Sequence, residues 1–154
     1  MSTLHVDCAN GVGAPKLREL LKFISSDVLS VDIVNENTTT LGQLNKNCGA
    51  DYVKTNQRAP PSISITAGDR CCSYDGDADR IVFYYVTEDG TFRLLDGDKI
   101  AGLAAVFITD LVHEAGIDSI KVGVVQTAYA NGSSTNYLTK VLVSFILFLA
   151  HACM

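Results

Sequence analysis

The hydrophobic and polar positions of this chain form short apolar runs separated by one-sided amphipathic stretches. Apolar runs at Leu4–Cys8 and Leu29–Val34 predict short buried strands. Between them, Pro15–Ile24 places its leucines and isoleucine along one stripe, which predicts an amphipathic helix. A second, shorter helix is predicted over Cys48–Gln57, after a polar loop over residues 35–40. The first third of the chain therefore alternates between strands and helices.

The middle of the chain is richer in β-branched and aromatic residues. Arg70–Tyr74 and Ile81–Val86 predict two strands, and the Asp89-Gly90 turn leads into a third at Thr91–Leu95. We expect the last two of these strands to form a hairpin, because a turn of this kind reverses the chain direction.

The longest helix is predicted over Asp98–Ala115, ending at Gly116, and a buried strand is predicted over Ile120–Gln126. Asn131-Gly132-Ser133-Ser134 fits an ordinary turn and helix cap better than a phosphate site. Taken together, the order of elements predicts an α/β fold, a layered mixed sheet with flanking helices.

The segment Val141–Ala150 is apolar on every side. As a helix, ten residues would reach only about 15 Å, half of a hydrocarbon core of about 30 Å, so we expect no membrane span. A buried tail, or one that self-associates when exposed, is the alternative.

Composition narrows the choice of partner and compartment. The chain has 154 residues, 47% of them hydrophobic, which is enough for a single domain core. A formal net charge of −5 and a pI near 5.0 disfavour nucleic acid and anionic membrane surfaces as partners. Five cysteines, with Cys71 and Cys72 adjacent, predict reduced thiols, and the first residues carry no export signal. We therefore expect a cytoplasmic protein.

Three carboxylates occupy alternate positions between two predicted strands, at Asp75, Asp77 and Asp79. If they converge within about 5 Å, each pair repels by roughly 3 kcal/mol at an effective dielectric of about 20, so the loop must bind a cation or take up protons. Magnesium fits a short loop that offers three single oxygens and leaves positions free. Arg80 could then face a phosphate.

The same run of acids could also form a solvated turn or a calcium loop. A solvated acidic turn is possible because Asp and Gly favour turns for conformational reasons. An EF-hand calcium loop shares the first three acids, but it requires Gly at the sixth position and Glu at the twelfth. Those positions hold Arg80 and Val86, and a strand follows where an EF-hand would enter a helix. We reject the EF-hand.

Two further motifs fit structural roles. Gly11-Val12-Gly13 follows a strand and opens a helix, but Lys16 replaces the third glycine of a dinucleotide-binding fingerprint, which argues against a nucleotide cofactor. Asp7 lies at the end of the first predicted strand, where we expect it to cap the following turn.

Several separate motifs, in order along the chain, resemble the α-D-phosphohexomutases, and most closely those members that act on N-acetylglucosamine phosphates. The resemblance runs from about Leu4 to Lys140. It rests on four motifs: Val6–Gly13, Asp75–Arg80, Leu95–Ile100 and Val124–Thr135.

The resemblance implies an enzyme that interconverts N-acetylglucosamine 6-phosphate and 1-phosphate through a phosphoserine and magnesium, on the route to UDP-N-acetylglucosamine. Asp75, Asp77 and Asp79 match the family's metal ligands, and Arg80 matches an arginine near the phosphate. No segment matches the family's nucleophilic serine, its sugar-selecting loop or its terminal phosphate grip, so no catalytic residue is assigned. We expect a piece of the enzyme that is inactive alone and would meet the sugar phosphate only in the complete enzyme.

The implied organisation has three parts. Residues 1–118 form the metal-loop domain, residues 119–140 the start of another, and residues 141–154 a divergent apolar tail. Two alternative functions stay open. One is a phosphatase of the haloacid dehalogenase type with Asp75 as nucleophile and Asp77 as general acid, and the other is a non-catalytic interaction module.

Overall fold

Strands and helices alternate along the computed structural model, which describes residues 3–117, 123–127, 132–140 and 146–150. The chain forms two compact units that divide between Asp96 and Gly97. The first unit contains β1 (Leu4–Asp7), α1 (Gly13–Leu21), β2 (Val31–Val34), α2 (Ala50–Asn56), β3 (Arg70–Tyr74), β4 (Ile81–Val86) and β5 (Phe92–Leu95). The second unit contains α3 (Gly97–Glu114), β6 (Gly123–Thr127), α4 (Gly132–Lys140) and β7 (Ile146–Ala150).

The first unit is built on a five-stranded mixed sheet in the order β2-β1-β3-β4-β5. Strand β1 runs parallel to both β2 and β3, whereas β3–β4 and β4–β5 are antiparallel pairs. The predicted mixed sheet and the predicted β4–β5 hairpin are therefore confirmed. Because β1 and β3 are parallel, their carboxyl ends lie at the same edge of the sheet, with Asp7 opposite Ser73.

Adjacent cysteines in β3 face opposite sides of this sheet, as successive strand residues must. Cys71 belongs to one buried cluster with Val53 and Tyr84, and Cys72 belongs to another with Val6. The four cysteines that the structure describes are buried and free. Each sheet face thus has its own apolar core, which holds β3 rigidly in the centre.

Helix α1 begins two residues before the predicted start. Pro15 falls in its first turn, where the missing N–H is not needed for an intrahelical bond. The helix ends at Leu21 rather than Ile24, because the next amides, those of Phe23 and Ile24, bond to carbonyls only three residues back.

Helix α2 is also shorter than predicted. It begins at Ala50, since Gly49 has a φ of 87° that lies outside the helical region, and its carboxyl end is set by Gln57 in a left-handed conformation. Gly49 is therefore the N-cap of α2.

The second unit begins with α3. The predicted first domain ended at residue 118, whereas the compact units divide between Asp96 and Gly97, with α3 packed against α4 in the second unit. Helix α3 ends near the predicted Gly116, whose φ is 65°. Within the apolar segment Val141–Ala150, residues Ile146–Ala150 form β7, which pairs in parallel with β6. The sequence analysis did not predict β7. Residues 120–122 of the predicted strand lie outside the described residues.

None of the described helices is both long enough and apolar enough to cross a membrane.

Candidate metal centre

Residues 75–80 form the loop between β3 and β4, called the metal loop, which brings together the three predicted carboxylates. One carboxylate oxygen from each of Asp75, Asp77 and Asp79 lies within 4.8 Å of the other two. The loop is closed by backbone bonds from Asp75 N–H to the Arg80 carbonyl, at 3.3 Å, and from Ala78 N–H to the Asp75 carbonyl, at 3.2 Å. The antiparallel pairing of β3 and β4 therefore fixes both ends of the loop.

The three carboxylates differ in exposure. Asp75 is buried, with 4% of its surface exposed, while Asp77 and Asp79 are exposed. A cation held here would have one rigid ligand on the protein side and two ligands facing solvent. Hard oxygen donors without nitrogen or sulfur suit Mg²⁺, which usually keeps several positions for water or a phosphate. The donor set of the loop therefore fits magnesium.

The carboxylates also differ in proton affinity. Burial acts to raise the pKa of Asp75, but hydrogen bonds from the backbone and side chain of Arg80 outweigh it and lower that pKa below its usual value. The pKa of Asp79 is raised by its side-chain hydrogen bond with Asp75 and by the charges of Asp77 and Asp75. As the pH falls, the exposed Asp79 therefore takes up a proton before the buried Asp75 does.

Arg80 is held by hydrogen bonds to two acids on different elements, and its Nε also lies 3.7 Å from Asp79 Oδ1. Its Nε donates to Asp75 Oδ2 at 2.7 Å, and its backbone N–H donates to Asp75 Oδ1 at 3.2 Å. Its Nη1 and Nη2 donate to Asp51 Oδ1 and Oδ2 at 2.6 and 3.0 Å. The hydrogen bonds to Asp51, which have the larger effect, and to Asp75 raise the pKa of Arg80 above its ordinary value.

The sequence analysis missed Asp51. Its signal was weak, an acidic residue in the first turn of a predicted helix, which normally needs no explanation beyond the helix dipole. Only the fold shows that this turn lies beside the end of the metal loop.

The glycine motif after β1 contacts the metal loop directly. A Cβ added to Gly11 would lie 2.1 Å from the Gly76 carbonyl oxygen, and Val12 N–H donates to that oxygen at 3.1 Å. Asn45 lies on another side of Gly76, with its Nδ2 2.8 Å from where a Cβ would be. Gly11, the first glycine of the motif that suggested a nucleotide fingerprint, is explained by this close backbone approach.

The serines at the start of α4 have a different setting. Ser134 Oγ accepts a hydrogen bond from Gln126 Nε2 at 3.2 Å, and Thr135 Oγ1 donates to Gln126 Oε1 at 3.0 Å. These bonds tie the helix to β6 within the second unit. The predicted turn and helix cap begins at Asn131, which lies outside the described residues.

Comparison with known proteins adds the family. Residues 1–82 match the family described as phosphoacetylglucosamine mutase AMG1, domain II, and residues 96–151 match its domain III. The second match continues past Lys140, where the sequence analysis ended the resemblance. Both matches are to mutase domains, so the phosphatase and interaction-module alternatives find no support.

Curated relatives are similar along most of the chain. A phosphoacetylglucosamine mutase from Sus scrofa is 55% identical over 140 residues, covering 91% of this chain and 25% of the relative. Its counterpart in Saccharomyces cerevisiae is 50% identical over 143 residues, covering 90% of this chain and 26% of the relative. The chain thus spans about a quarter of the length of the curated relatives it matches.

Solved structures agree with these matches. The Aspergillus fumigatus N-acetylphosphoglucosamine mutase, crystallised with GlcNAc-6P and magnesium, is 56% identical with a TM-score of 0.89, over 99% of this chain and 29% of that one. Another N-acetylglucosamine-phosphate mutase, described as a member of the α-D-phosphohexomutase superfamily, is 43% identical with a TM-score of 0.88, over 99% of this chain and 33% of that one. The fold, the sequence identity and the matches to both mutase domains agree. The chain belongs to the phosphoacetylglucosamine mutase family.

Proposed function

We propose that this chain supplies the magnesium-binding segment of a phosphoacetylglucosamine mutase, the enzyme that interconverts N-acetylglucosamine 6-phosphate and 1-phosphate. The observation that carries the proposal is the convergence of the Asp75, Asp77 and Asp79 oxygens within 4.8 Å. A related mutase was crystallised with both magnesium and GlcNAc-6P, which supports the choice of ion and of substrate class.

The three carboxylates would hold Mg²⁺ on the solvent side of the loop. When bound, the ion supplies charge neutralisation and orientation for a phosphoryl group, which is most of what phosphoryl transfer requires from a protein. Asp75 gives the centre its fixed point, because it is buried and its position is set by β3 and Arg80. Asp77 and Asp79, being exposed, can adjust to the ion.

Arg80 is our candidate for the phosphate-proximal residue. Its side chain is 56% exposed, and Nε is anchored on Asp75 while the Nη fork is occupied by Asp51. Carboxylate and phosphate are both bidentate acceptors for a guanidinium fork. A phosphate held at the loop could therefore take over the fork from Asp51 without disturbing the bond between Nε and Asp75.

We further propose that turnover requires parts of the relatives that this chain does not span, since it covers only about a quarter of their length. The purified chain should then show no conversion of N-acetylglucosamine 6-phosphate in the presence of a sugar bisphosphate primer. Measurable turnover would contradict this part of the proposal. Free buried thiols suit a cytoplasmic setting, which we also propose for the protein.

Self-association through the apolar tail, residues 141–154, is a separate proposal that rests on the composition of that segment. Sedimentation velocity over a range of concentrations, on the chain with and without these residues, would test it. A shift to larger species only in the longer chain is expected, and identical behaviour of both would contradict it.

The metal site is tested by calorimetric titration of the chain with Mg²⁺ and Mn²⁺. Asp77→Asn should weaken binding by about tenfold or more, because it removes one charged ligand while leaving the buried Asp75 in place. Asp27→Asn is the matched control, since it removes the same charge from an exposed residue outside the cluster. Absence of any binding heat in the well-folded wild type would overturn the proposal.

A further inference from the structure

Asp7, which the sequence analysis assigned to a turn cap, does considerably more. Its side chain is completely buried. Oδ1 accepts hydrogen bonds from Ala9 N–H at 3.0 Å and from Asn35 Nδ2 at 2.8 Å. Oδ2 accepts from Gly49 N–H at 2.6 Å and from Ser73 Oγ at 2.8 Å. The bond from Ala9 is the predicted cap, and the other three reach different parts of the fold.

Such an environment is unusual for a carboxylate. A buried charge is tolerated only when it is paired or fully hydrogen-bonded. Here the four donors are all neutral, two backbone amides, one amide side chain and one hydroxyl. A turn cap requires only the bond from Ala9. The other three hydrogen bonds of the buried carboxylate therefore need a separate explanation.

The donors lead to the metal loop by two routes. Along the first, Ser73 belongs to β3 and stands two residues before Asp75, the buried ligand of the loop. Its hydroxyl also lies 3.2 Å from Tyr84 Oη on β4, the strand that receives the loop. The bond from Ser73 to Asp7 therefore fixes the strand end from which the loop departs.

A second route leads through Gly49. This residue is the N-cap of α2, and Asp51 in the first turn of that helix holds the Nη fork of Arg80. Arg80 returns to Asp75 through its Nε. The two routes form a closed ring: Asp7 to Ser73, along β3 to Asp75, across to Arg80 and Asp51, and back through Gly49 to Asp7.

We propose that Asp7 is a positioning residue for the candidate metal centre, which sets Asp75 and the Arg80 fork relative to each other through β3 and the start of α2. The inference rests on the proposed function, because it is the metal site that this ring would orient. In this role Asp7 bonds to the supports of the loop rather than to the loop itself.

Because the four donors require a carboxylate at this position, the isosteric variant Asp7→Asn is an informative test. Four donors need the lone pairs of two acceptor oxygens. Asp7→Asn keeps the shape but turns one acceptor into an NH₂ group, which faces either Gly49 N–H and Ser73 Oγ or Ala9 N–H and Asn35 Nδ2. At least one backbone donor must then lose its partner. The milder variant Ser73→Ala removes the connection from Asp7 to β3, together with the contact between Ser73 Oγ and Tyr84 Oη.

The first measurement needs no metal. In the nuclear magnetic resonance spectrum of the ion-free chain, the Arg80 Nε–H and Gly49 N–H signals report the two ends of the ring. Asp7→Asn should shift both signals, and hydrogen exchange should speed up by about tenfold at whichever backbone N–H, that of Gly49 or that of Ala9, faces the new NH₂ group, as expected when a strong hydrogen bond is lost. The amides between β4 and β5 should stay unchanged. Asp32→Asn, which removes an exposed carboxylate of β2 that pairs with His5, is the control and should affect neither signal.

The second measurement is the Mn²⁺ affinity of the same variants. Asp7→Asn should weaken the affinity for Mn²⁺ by about tenfold, an effect typical of residues that orient a metal ligand without contacting the metal. If Asp7→Asn does not fold, Ser73→Ala carries both measurements, with a smaller loss of affinity and a shifted Arg80 signal expected.

Failure of the two proposals would look different. If the wild type bound no Mn²⁺, the proposed function would fail, while the Arg80 signal would still decide the role of Asp7. An Arg80 signal that is unchanged in the folded variant would overturn the role of Asp7, whatever the affinity of the wild type for the ion.

Discussion

The guanidinium of Arg80 and the carboxylate of Asp51 meet fork to fork, with Nη–Oδ distances of 2.6 and 3.0 Å. This pair joins the last residue of the metal loop to the first turn of α2, although 29 positions separate the two residues in sequence. Both side chains are more than half exposed, at 56% and 66%. The pair therefore directs the arginine without adding much to stability.

Asp51→Asn should lower the free energy of unfolding by no more than about 1 kcal/mol, because exposed ion pairs are weakened by water and salt. Urea unfolding of the variant and of the wild type measures this difference. Asp27→Asn, a change at another exposed acid, gives the baseline for losing one negative charge. A loss several times larger than the stated limit would mean that the pair is a structural element rather than an adjustable one.

Gly11→Ala should destabilise the first unit by about 1–3 kcal/mol, the range for forcing an extra carbon into a filled space. The new Cβ would lie 2.1 Å from the Gly76 carbonyl oxygen, so the metal loop or the turn after β1 must move. Thermal unfolding measures the cost, and a Mn²⁺ titration shows whether the loop has moved.

The same substitution in a helix is the control. A Cβ added to Gly102 of α3 would meet nothing within 4 Å, so Gly102→Ala should leave stability unchanged or raise it by about 0.5–1 kcal/mol. Equal destabilisation by both substitutions would contradict the proposed contact between Gly11 and Gly76.

The turn between β4 and β5 should show a pH dependence. The hydroxyl of Thr87 and the backbone N–H of Thr91 donate to Asp89, and these bonds lower the pKa of Asp89 to about 2. Because the folded pKa lies below the unfolded one, the contribution is present above pH about 4 and is lost as the pH falls towards 2. Wild type and Asp89→Asn should therefore differ in stability at pH 7 and converge at low pH.

A carbon-detected titration of the Asp89 carboxyl measures its pKa directly. Thr87→Val removes the hydroxyl donor with little change in shape, so the pKa of Asp89 should move back towards the ordinary value. A titration midpoint that is the same in both proteins would show that the hydroxyl does not hold the carboxylate.

The four described cysteines should be poorly reactive in the folded chain. Burial raises the pKa of Cys48 and Cys71 to about 11 and that of Cys8 and Cys72 to about 12, so almost no thiolate forms near pH 7. Timed alkylation followed by peptide mass spectrometry should find these four modified only after unfolding. Rapid modification of Cys72 in native protein would contradict its buried position in β3.

The strands around the metal loop could be predicted because their information is local. Arg70–Tyr74 and Ile81–Val86 have the predicted bounds, and the turn at Asp89-Gly90 opens the hairpin to Phe92–Leu95. Strand-forming residues flank acids and a glycine that are disfavoured in strands, so a loop was predicted between them, and the convergence of its three carboxylates was the condition for a metal site. Helix ends were less accurate, because Gly49 and the residues after Leu21 are set by local backbone geometry rather than by hydrophobic pattern.

The supports of the site could not be predicted, because they depend on pairing between distant segments. Asp51 and Asp7 are ordinary acids in the sequence, one at a helix start and one at a strand end. They acquire their contacts only when β1 lies parallel to β3 and the start of α2 is brought to the same edge of the sheet. Neither the hydrophobic periodicity nor the spacing of motifs along the chain indicates which distant segments will pair.

The parallel pairing of β1 with β3 also bears on the order of events during folding. The hydrogen bond from Ser73 to Asp7 closes 66 positions of chain, whereas the acidic loop lies inside a hairpin of adjacent strands. Hairpins form in about 1–10 μs, while contacts between remote segments wait for the intervening chain to order. The loop should thus appear early with Asp75 loosely held, and under the proposed function its full affinity for an ion should follow only after β1 has paired with β3.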